Sequence, residues 1–549
     1  WHPHLALVVP SGRAVCHCVP PIPGCARPCA LGFTHKFTFP IFGKKTMSVS
    51  SIFHPISRRD FRGELSENQR YRHAFNDYRL QTRCADILRK LEESSCSVIN
   101  RFLDTRDDQI AAYRFFNNDK VGLAELIHQV CDIDSDKVKG QDLYVPMDSS
   151  SCNLSLGADG RKDWIPLVGV LENNLTPGFS IMPSLVLNAN NRHCYGLGDI
   201  LFYSRPKATG SAVENKQLRN KRRQLPLQDK ESAVWSIVAK STAAQLQTAR
   251  RVTFIMDQGA DNYESLALIH QQTKRDFIVR AKNNRRARLQ TNGQIGTIKE
   301  LLAQSPVIST RKVKIKALNH QSKTSGRHHV KRKSRLANIA LKVIDVELFR
   351  PSYYTKNKVG FNKSLRLVQA LEDPESVPPG EEPIQWILLT SWPVENVATA
   401  WKVVEAYQHR WDIEQLFRIL KTQGYNVEQS QLNHPDRIKK LVAMALKAST
   451  QALTLVAARD GKEHIDIETV FSSQEVKALH IMHRKYEGTT AKTTNPFKSS
   501  SLAWAAWIVA RAGGWKGYRS QRPPGPITMT RGLFKLQIIC DFMDIDHPT

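Results

Sequence analysis

Apolar residues recur at helical spacing between Arg58 and about Asp134. In RYRHAFNDYRLQTRCADILRKLEESS they alternate with arginines, and AAYRFFNNDKVGLAELIHQV repeats the pattern. Both predict amphipathic helices. From Asp142 the period shortens. LYVPMDSSSCNLS, GFSIMPSLVLNAN and CYGLGDILFYS are apolar runs of strand length with short polar breaks between them. A long helical stretch follows in DKESAVWSIVAKSTAAQLQTARR. Then come the apolar run VTFIMD, a helix around NYESLALIHQQTK and a strand in DFIVRAK.

Three strands followed by alternating helix and strand is the order of a ribonuclease-H-like α/β core, and residues 135–284 read as its first part. That order is interrupted. Between Arg285 and Arg335 only Glu300 is acidic, while Lys and Arg recur, as in RKVKIK and RHHVKRKSR. NIALKVIDVELF and SLRLVQALE read as strands and PESVPPGEEP as a turn, so 285–384 is expected to be a basic, β-rich insertion. QWILLTS is then a strand and ATAWKVVEAYQHRWDIEQLFRILKTQGY a helix, which makes 385–434 the second part of the core. Residues 435–549 read as a helical C-terminal domain with the strongly apolar segment SLAWAAWIVARAGGW. Residues 47–134 form a helical N-terminal domain suited to backbone and groove contacts on DNA. Residues 1–46 are rich in Pro and Cys and have no helical period, and are expected to be a disordered or non-native leader ahead of Met47.

Charge narrows the function. The chain carries 79 Lys and Arg against 51 Asp and Glu, a formal net charge of +28. A chain this one-signed repels itself unless a polyanion neutralises it. Nucleic acid is the polyanion expected, because phosphate neutralisation dominates non-specific binding. No run of 18 or more apolar residues occurs, so no membrane-spanning helix and no membrane partner is expected. Of the ten cysteines, Cys16, Cys18, Cys25 and Cys29 crowd into the leader. Their pairs are not C-x-x-C, so a zinc site and an unstructured leader both stay open. The other six are scattered and read as buried thiols of a reducing compartment.

Two-metal phosphoryl chemistry needs carboxylates that converge on divalent ions. Asp148 lies in the first strand, Asp257 ends VTFIM, and Glu414 lies in the helix after the last strand. A lone Asp at a strand end is ordinarily a turn residue or helix cap; three acids in this order are a candidate triad. Tyr407, Arg410, Glu414 and Lys421 follow one another at offsets of 3, 7 and 14, which a single helix places on one stripe. The plain alternative for Arg410 and Glu414 is an exposed i,i+4 pair.

Y-x2-R-x3-E-x6-K, intact as YQHRWDIEQLFRILK, resembles the YREK signature of one group of bacterial insertion-sequence DDE transposases, the group of the Tn-five transposase. Other pieces follow in order. AAYRFFNN resembles part of that family's N-terminal DNA-binding domain, MDSSS its first-Asp strand and MDQGAD its second-Asp segment. FIVRAK resembles the next strand, whose Arg and Lys, here Arg280 and Lys282, face DNA. QWILLTS resembles the strand whose tryptophan, here Trp386, takes part in base flipping, and ARAGGW resembles the C-terminal domain. The resemblance runs from about Met47 to the chain end and implies cut-and-paste transposition in the bacterial cytoplasm, at the nucleoid. Asp148, Asp257 and Glu414 would bind two Mg²⁺ ions, with Mn²⁺ as a substitute. Tyr407, Arg410 and Lys421 would hold phosphates near a flipped base. The partners implied are double-stranded DNA, as element ends and target, and a second copy of the chain docked through the C-terminal apolar stretch around Trp504, Trp507 and Ile508. One departure stands out. The second-Asp segment often reads D-R-E-x-D in the family, and here Gln258 follows Asp257, so the Arg is lost. Two alternatives are a non-catalytic DNA-binding regulator or inhibitor that keeps the fold, and a plain metal-dependent nuclease.

Overall fold

The computed structural model describes residues 75–545 apart from internal gaps, the longest at 156–161, 318–331 and 353–358. The leader, its cysteine quartet and the start of the N-terminal helical region up to residue 74 lie outside the described residues. The N-terminal part contains the helices α1 (Tyr78–Ser94), α2 (Arg106–Asn117) and α3 (Leu123–Val130). In α1 the buried positions Cys84, Ile87 and Leu91 repeat at helical spacing. Thr105 starts α2 by accepting the Asp108 amide, and Asp107 and Asp108 in the first turn complement the helix dipole.

Twelve strands among the described residues form one mixed sheet. The first four are β1 (Asp142–Met147), β2 (Ser150–Asn153), β3 (Gly178–Asn188) and β4 (Cys194–Tyr203). Helix α4 (Ala233–Gln245), strand β5 (Arg251–Met256), helix α5 (Tyr263–Thr273) and strand β6 (Asp276–Arg280) come next. β4, β3 and β1 pair antiparallel, while β1, β5 and β6 run parallel. In spatial order this is β4-β3-β1-β5-β6, the arrangement of a ribonuclease-H-like core. β5 is buried at five of its six positions, as a central parallel strand covered on both faces should be. Val252, Phe254 and Met256 enter the core under α4 and α5, and Ile255 enters the opposite one.

The basic segment after β6 contains β7 (Arg286–Leu289), β8 (Ile295–Thr297), β9 (Ser309–Ile315), β10 (Arg335–Leu348) and β11 (Leu365–Glu372). It also holds a helix absent from the strand-only reading, α6 (Ile298–Gln304), started by a capping box between Thr297 and Glu300. These strands are not set apart. β12 (Gln385–Thr390) pairs with β6 on one side and β11 on the other, so the insertion prolongs the core sheet.

The helix carrying the YREK pattern is two helices, α7 (Val397–Gln408) and α8 (Trp411–Leu420). At the junction the amides of His409, Arg410 and Asp412 each bond three residues back, a tighter turn than the α-helix. Asp412 is drawn to the His409 ring, at 3.2 Å, and to the Arg192 guanidinium from the β3–β4 turn. The four-residue pattern therefore spans the end of one helix and the start of the next, with this cluster at the junction between Tyr407 and Glu414.

The C-terminal part is helical: α9 (Pro435–Ala458), α10 (Ser473–Tyr486), α11 (Leu502–Ala512) and α12 (Pro526–Ile545). Length and mean composition alone would let the 24-residue α9 cross a membrane, although it holds no unbroken run of 18 apolar residues, but 78% of its most apolar window is buried. It is the central core helix, packed with α1, α11 and α12. Trp504, Trp507 and Ile508 are 3%, 5% and 0% exposed, so the segment expected to form a dimer surface is internal core of α11. The exposed apolar stripe lies on α12, at Phe534, Ile538 and Phe542.

Candidate active site

β1 and β5 are parallel neighbours, and Met147 stands opposite Met256. The next residue on each strand is Asp148 and Asp257, so both carboxylates emerge side by side at the carboxyl edge of the sheet. Asp148 lies just past β1, where its Oδ1 accepts the Ser149 amide at 2.7 Å. Asp257 caps a short turn, accepting the Gly259 amide at 2.7 Å. Glu414 in the first turn of α8 completes the group. Arg410 ties it together, donating from Nη1 to Asp148 at 3.0 Å and from Nη2 to Glu414 at 2.6 Å.

The electrostatics show crowding of like charge. Burial first, then the charge of Asp257, pushes the Asp148 carboxyl up to about 7, against the pull of Arg410 and the Ser149 amide; Glu414 adds a smaller push. Burial likewise pushes the Tyr407 phenol up to about 12, with Arg410 and Arg280 opposing and both aspartates adding to the rise. Tyr407 therefore stays a neutral hydrogen-bond donor at neutral pH.

A pH prediction follows. Because its pKa is raised on folding, Asp148 keeps in the folded state a proton that the unfolded chain gives up above 3.8. Its contribution to stability is full below that value and is lost as pH rises toward about 7. At 1.36 kcal/mol per pH unit the loss reaches at most about 4 kcal/mol, and less where Arg410 relaxes. In metal-free buffer, Asp148→Asn should gain Tm relative to the unaltered protein between pH 5 and pH 8. A Tm difference that stays constant over this range would show that Asp148 titrates as an ordinary carboxylate.

The remaining expected residues sit around this centre. Lys421 ends α8, and its ammonium donates to the Ser151 carbonyl and lies 3.8 Å from Glu428. Trp386 is half-buried in β12, edge-on to Tyr407 with ring centroids 5.2 Å apart. Arg280 at the end of β6 donates to the Gln385 carbonyl at 3.1 Å. Lys282 is exposed, and its backbone amide is held by Asp261. Asp148, Glu414 and Arg410 are thus in direct contact, with Asp257 and Tyr407 in electrostatic reach; Trp386 and Arg280 meet the group through Tyr407, Lys421 through the Ser151 carbonyl, and Lys282 is held at Asp261, four residues past Asp257.

Several residues escaped the sequence reading. Asp261, four positions after Asp257, is buried and paired with Arg285, and it fixes the loop that carries Lys282. Its place in MDQGAD was the only signal. Arg192 meets Asp412 at the α7–α8 junction, a contact between residues remote in sequence that no local pattern could reveal, and His409 meets the same carboxylate from three residues away. Trp411 is 49% exposed, and the guanidiniums of Arg410 and Arg418 each lie 5.8 Å from its ring, which makes it a cation-flanked aromatic platform.

Among the described residues no three His, Cys, Asp or Glu side chains already converge as a metal-binding group, and Arg410 supplies the positive charge between Asp148 and Glu414. The donor set nevertheless fits hard divalent cations. It offers carboxylate oxygens alone, and its crowded negative charge is what such ions relieve.

Two comparisons with known families bear on this geometry. Residues 233–450 match the model described as the transposase DDE domain, which spans Asp257 and Glu414. Residues 67–121 match the model described as transposase DNA-binding, which covers α1 and α2.

Proposed function

Because this chain carries a transposase DDE domain behind a transposase DNA-binding domain, we propose that it is a cut-and-paste transposase of the YREK group, cutting element ends through a hairpin intermediate. The observation that carries the reading is the register of β1 on β5. It sets Asp148 beside Asp257 and lets Arg410, beside Glu414 on its own chain segment, reach Asp148 across 262 positions of sequence.

Each end is first nicked by water. The freed 3′ hydroxyl attacks the opposite strand to close a hairpin, a second water opens it, and the 3′ hydroxyl attacks target DNA. All four steps are phosphoryl transfers, so one site serves them all. Asp148, Asp257 and Glu414 would hold two divalent ions, Mg²⁺ by this reading, which supply Lewis-acid activation of the attacking oxygen and charge stabilisation of the leaving one. Arg410 presents a planar two-pronged donor that suits a phosphate as well as it suits the carboxylates it now joins. Lys421 is steadied by Ser151 at the flank of Asp148, and the neutral Tyr407 phenol donates a hydrogen bond without adding charge. Trp386, backed by Tyr407, offers its ring to a displaced base. Arg280 and Lys282 contact the backbone beyond β6, and the protein works at the bacterial nucleoid.

Two copies pair two ends. The stripe of α12 suits that contact better than the buried Trp504 and Trp507. Phe534→Asp with Phe542→Asp should leave single-end binding in place and weaken the paired complex at least about tenfold, because a desolvated charge is costly in an apolar contact. Undiminished paired complexes in a gel-shift assay would remove α12 from the interface.

The closing experiment incubates the protein with a labelled end-containing fragment and Mg²⁺. Hairpin and strand-transfer products support the proposal, nicked product alone would mark a plain nuclease, and bound but uncut DNA would mark a regulator.

A further inference from the structure

The turn between β3 and β4 holds a residue in a backbone conformation that costs energy. Arg192 sits at φ 63°, in the left-handed region that glycine enters freely and residues with a Cβ do not. The turn is tightly bonded around it. The Asn188 amide donates to the His193 carbonyl at 2.8 Å, and the Arg192 amide to the Asn188 carbonyl at 3.0 Å. Asn188 is buried, and its side-chain oxygen accepts the amides of Asn190 and Asn191. Its side-chain nitrogen donates to Gln141 and Tyr195. Glycine would make this turn without strain, so what the position gains from arginine is the side chain.

That side chain reaches Asp412 across 220 positions of sequence. Asp412 is largely buried, and its second oxygen lies 3.2 Å from Nδ1 of His409. Arg459 is in electrostatic reach of both Arg192 and Asp412, but it donates to the Pro524 carbonyl and lies beside Asp460. Asp412 stands midway between Arg410 and Glu414, two residues from each. Around it the amides of His409, Arg410 and Asp412 bond three residues back, in hydrogen bonds of poorer geometry than those of an α-helix. The segment between α7 and α8 is thus weakly held by its own backbone and strongly held by one remote guanidinium.

We propose that Arg192 is a positioning residue of the candidate site: by anchoring Asp412 it sets where α8 begins, and so places Arg410 toward Asp148 with Glu414 beside it. The effect on cleavage rests on the transposase reading; the anchoring does not. The test compares Arg192→Gly and Arg192→Lys with the unaltered full chain. Glycine removes the anchor and relieves the backbone, which offsets the greater freedom of its unfolded chain, so Tm should stay close to that of the unaltered protein. Single-turnover cleavage of a labelled end should slow at least about tenfold at unchanged end affinity, because misplaced reacting groups cost rate. Lysine still offers a cationic donor to the one oxygen that Arg192 meets, and should keep most of the rate. Hydrogen–deuterium exchange gives a readout independent of cleavage: amides of 409–414 should exchange faster in Arg192→Gly, and those of β5 should not. Should glycine lower Tm, Asp412→Asn, which keeps the shape and gives up the charge, must reproduce the loss of rate at unchanged end affinity. Cleavage at the unaltered rate, cleavage and binding lost in equal measure, or a lysine variant as slow as glycine would overturn the positioning role and leave the transposase reading standing. If the unaltered protein cuts no ends, the transposase reading fails and exchange alone judges the anchor: faster exchange at 409–414 sustains it, and unchanged exchange overturns it.

Discussion

Replacing Asp257 by Asn is expected to cut the rate of end cleavage roughly thousandfold or more, the equivalent of about 4 kcal/mol of transition-state stabilisation, while end binding stays near normal. The expectation follows from how Asp257 is held. Its carboxylate caps the turn at Gly259, and an amide oxygen accepts the same N–H, so the local backbone keeps its shape. What the amide loses is negative charge and with it the capacity to bind a hard divalent ion. The substitution also removes the neighbour that raises the Asp148 carboxyl. Single-turnover cleavage of a labelled end, alongside a gel-shift measurement on the same preparation, separates the two effects. Near-normal cleavage in Mg²⁺ would remove Asp257 from the triad.

Trp386→Ala is expected to leave first-strand nicking largely intact and to slow hairpin formation by roughly ten- to a hundredfold, the equivalent of the 1–3 kcal/mol that base stacking on an aromatic ring provides. Closing a hairpin demands a sharp bend, and a base must leave the stack to relieve it, at a cost of a few kcal/mol. Trp386 is half-buried against the core that lies under α7, and its ring meets Tyr407 edge-on, so the ring is braced by protein yet not fully covered. A substrate that already lacks the base carries no unstacking cost and should partly restore the variant. Loss of nicking and hairpin formation in equal measure, or a collapse of Tm, would make Trp386 an ordinary support for Tyr407.

Much of the core was legible because its signals are local. The run VTFIM is apolar apart from Thr253 and became a central strand, and the acid that ends it stands at the sheet edge. The order of strands and helices around it was readable for the same reason. What escaped depended on partners remote in sequence. Asp412 is bonded to Arg192 across 220 positions, and this contact sits at the junction where the YREK segment divides into two helices. Arg410 reads as half of a local pair with Glu414, but its other prong reaches Asp148, which only the fold could reveal. The stretch around Trp504 misled because a strongly apolar helix has the same composition whether it faces its own core or a partner. The continuity of the basic strands with the core sheet was equally hidden, since an insertion looks alike in sequence whether it folds apart or joins an existing edge.

That continuity makes the insertion an irremovable part of the enzyme. β12 is the hinge strand of the sheet, bonded to the core through β6 and to the insertion through β11. Excising residues 285–384 would strip one side of β12 of its partner. The new edge would carry the apolar row Ile387, Leu388 and Leu389, of which the last two are now fully buried. An open edge of that composition recruits strands from other chains. The half of the chain that holds the candidate triad therefore depends on the basic strands for its solubility, and a smaller nuclease cannot be carved from this chain by trimming it back to those carboxylates.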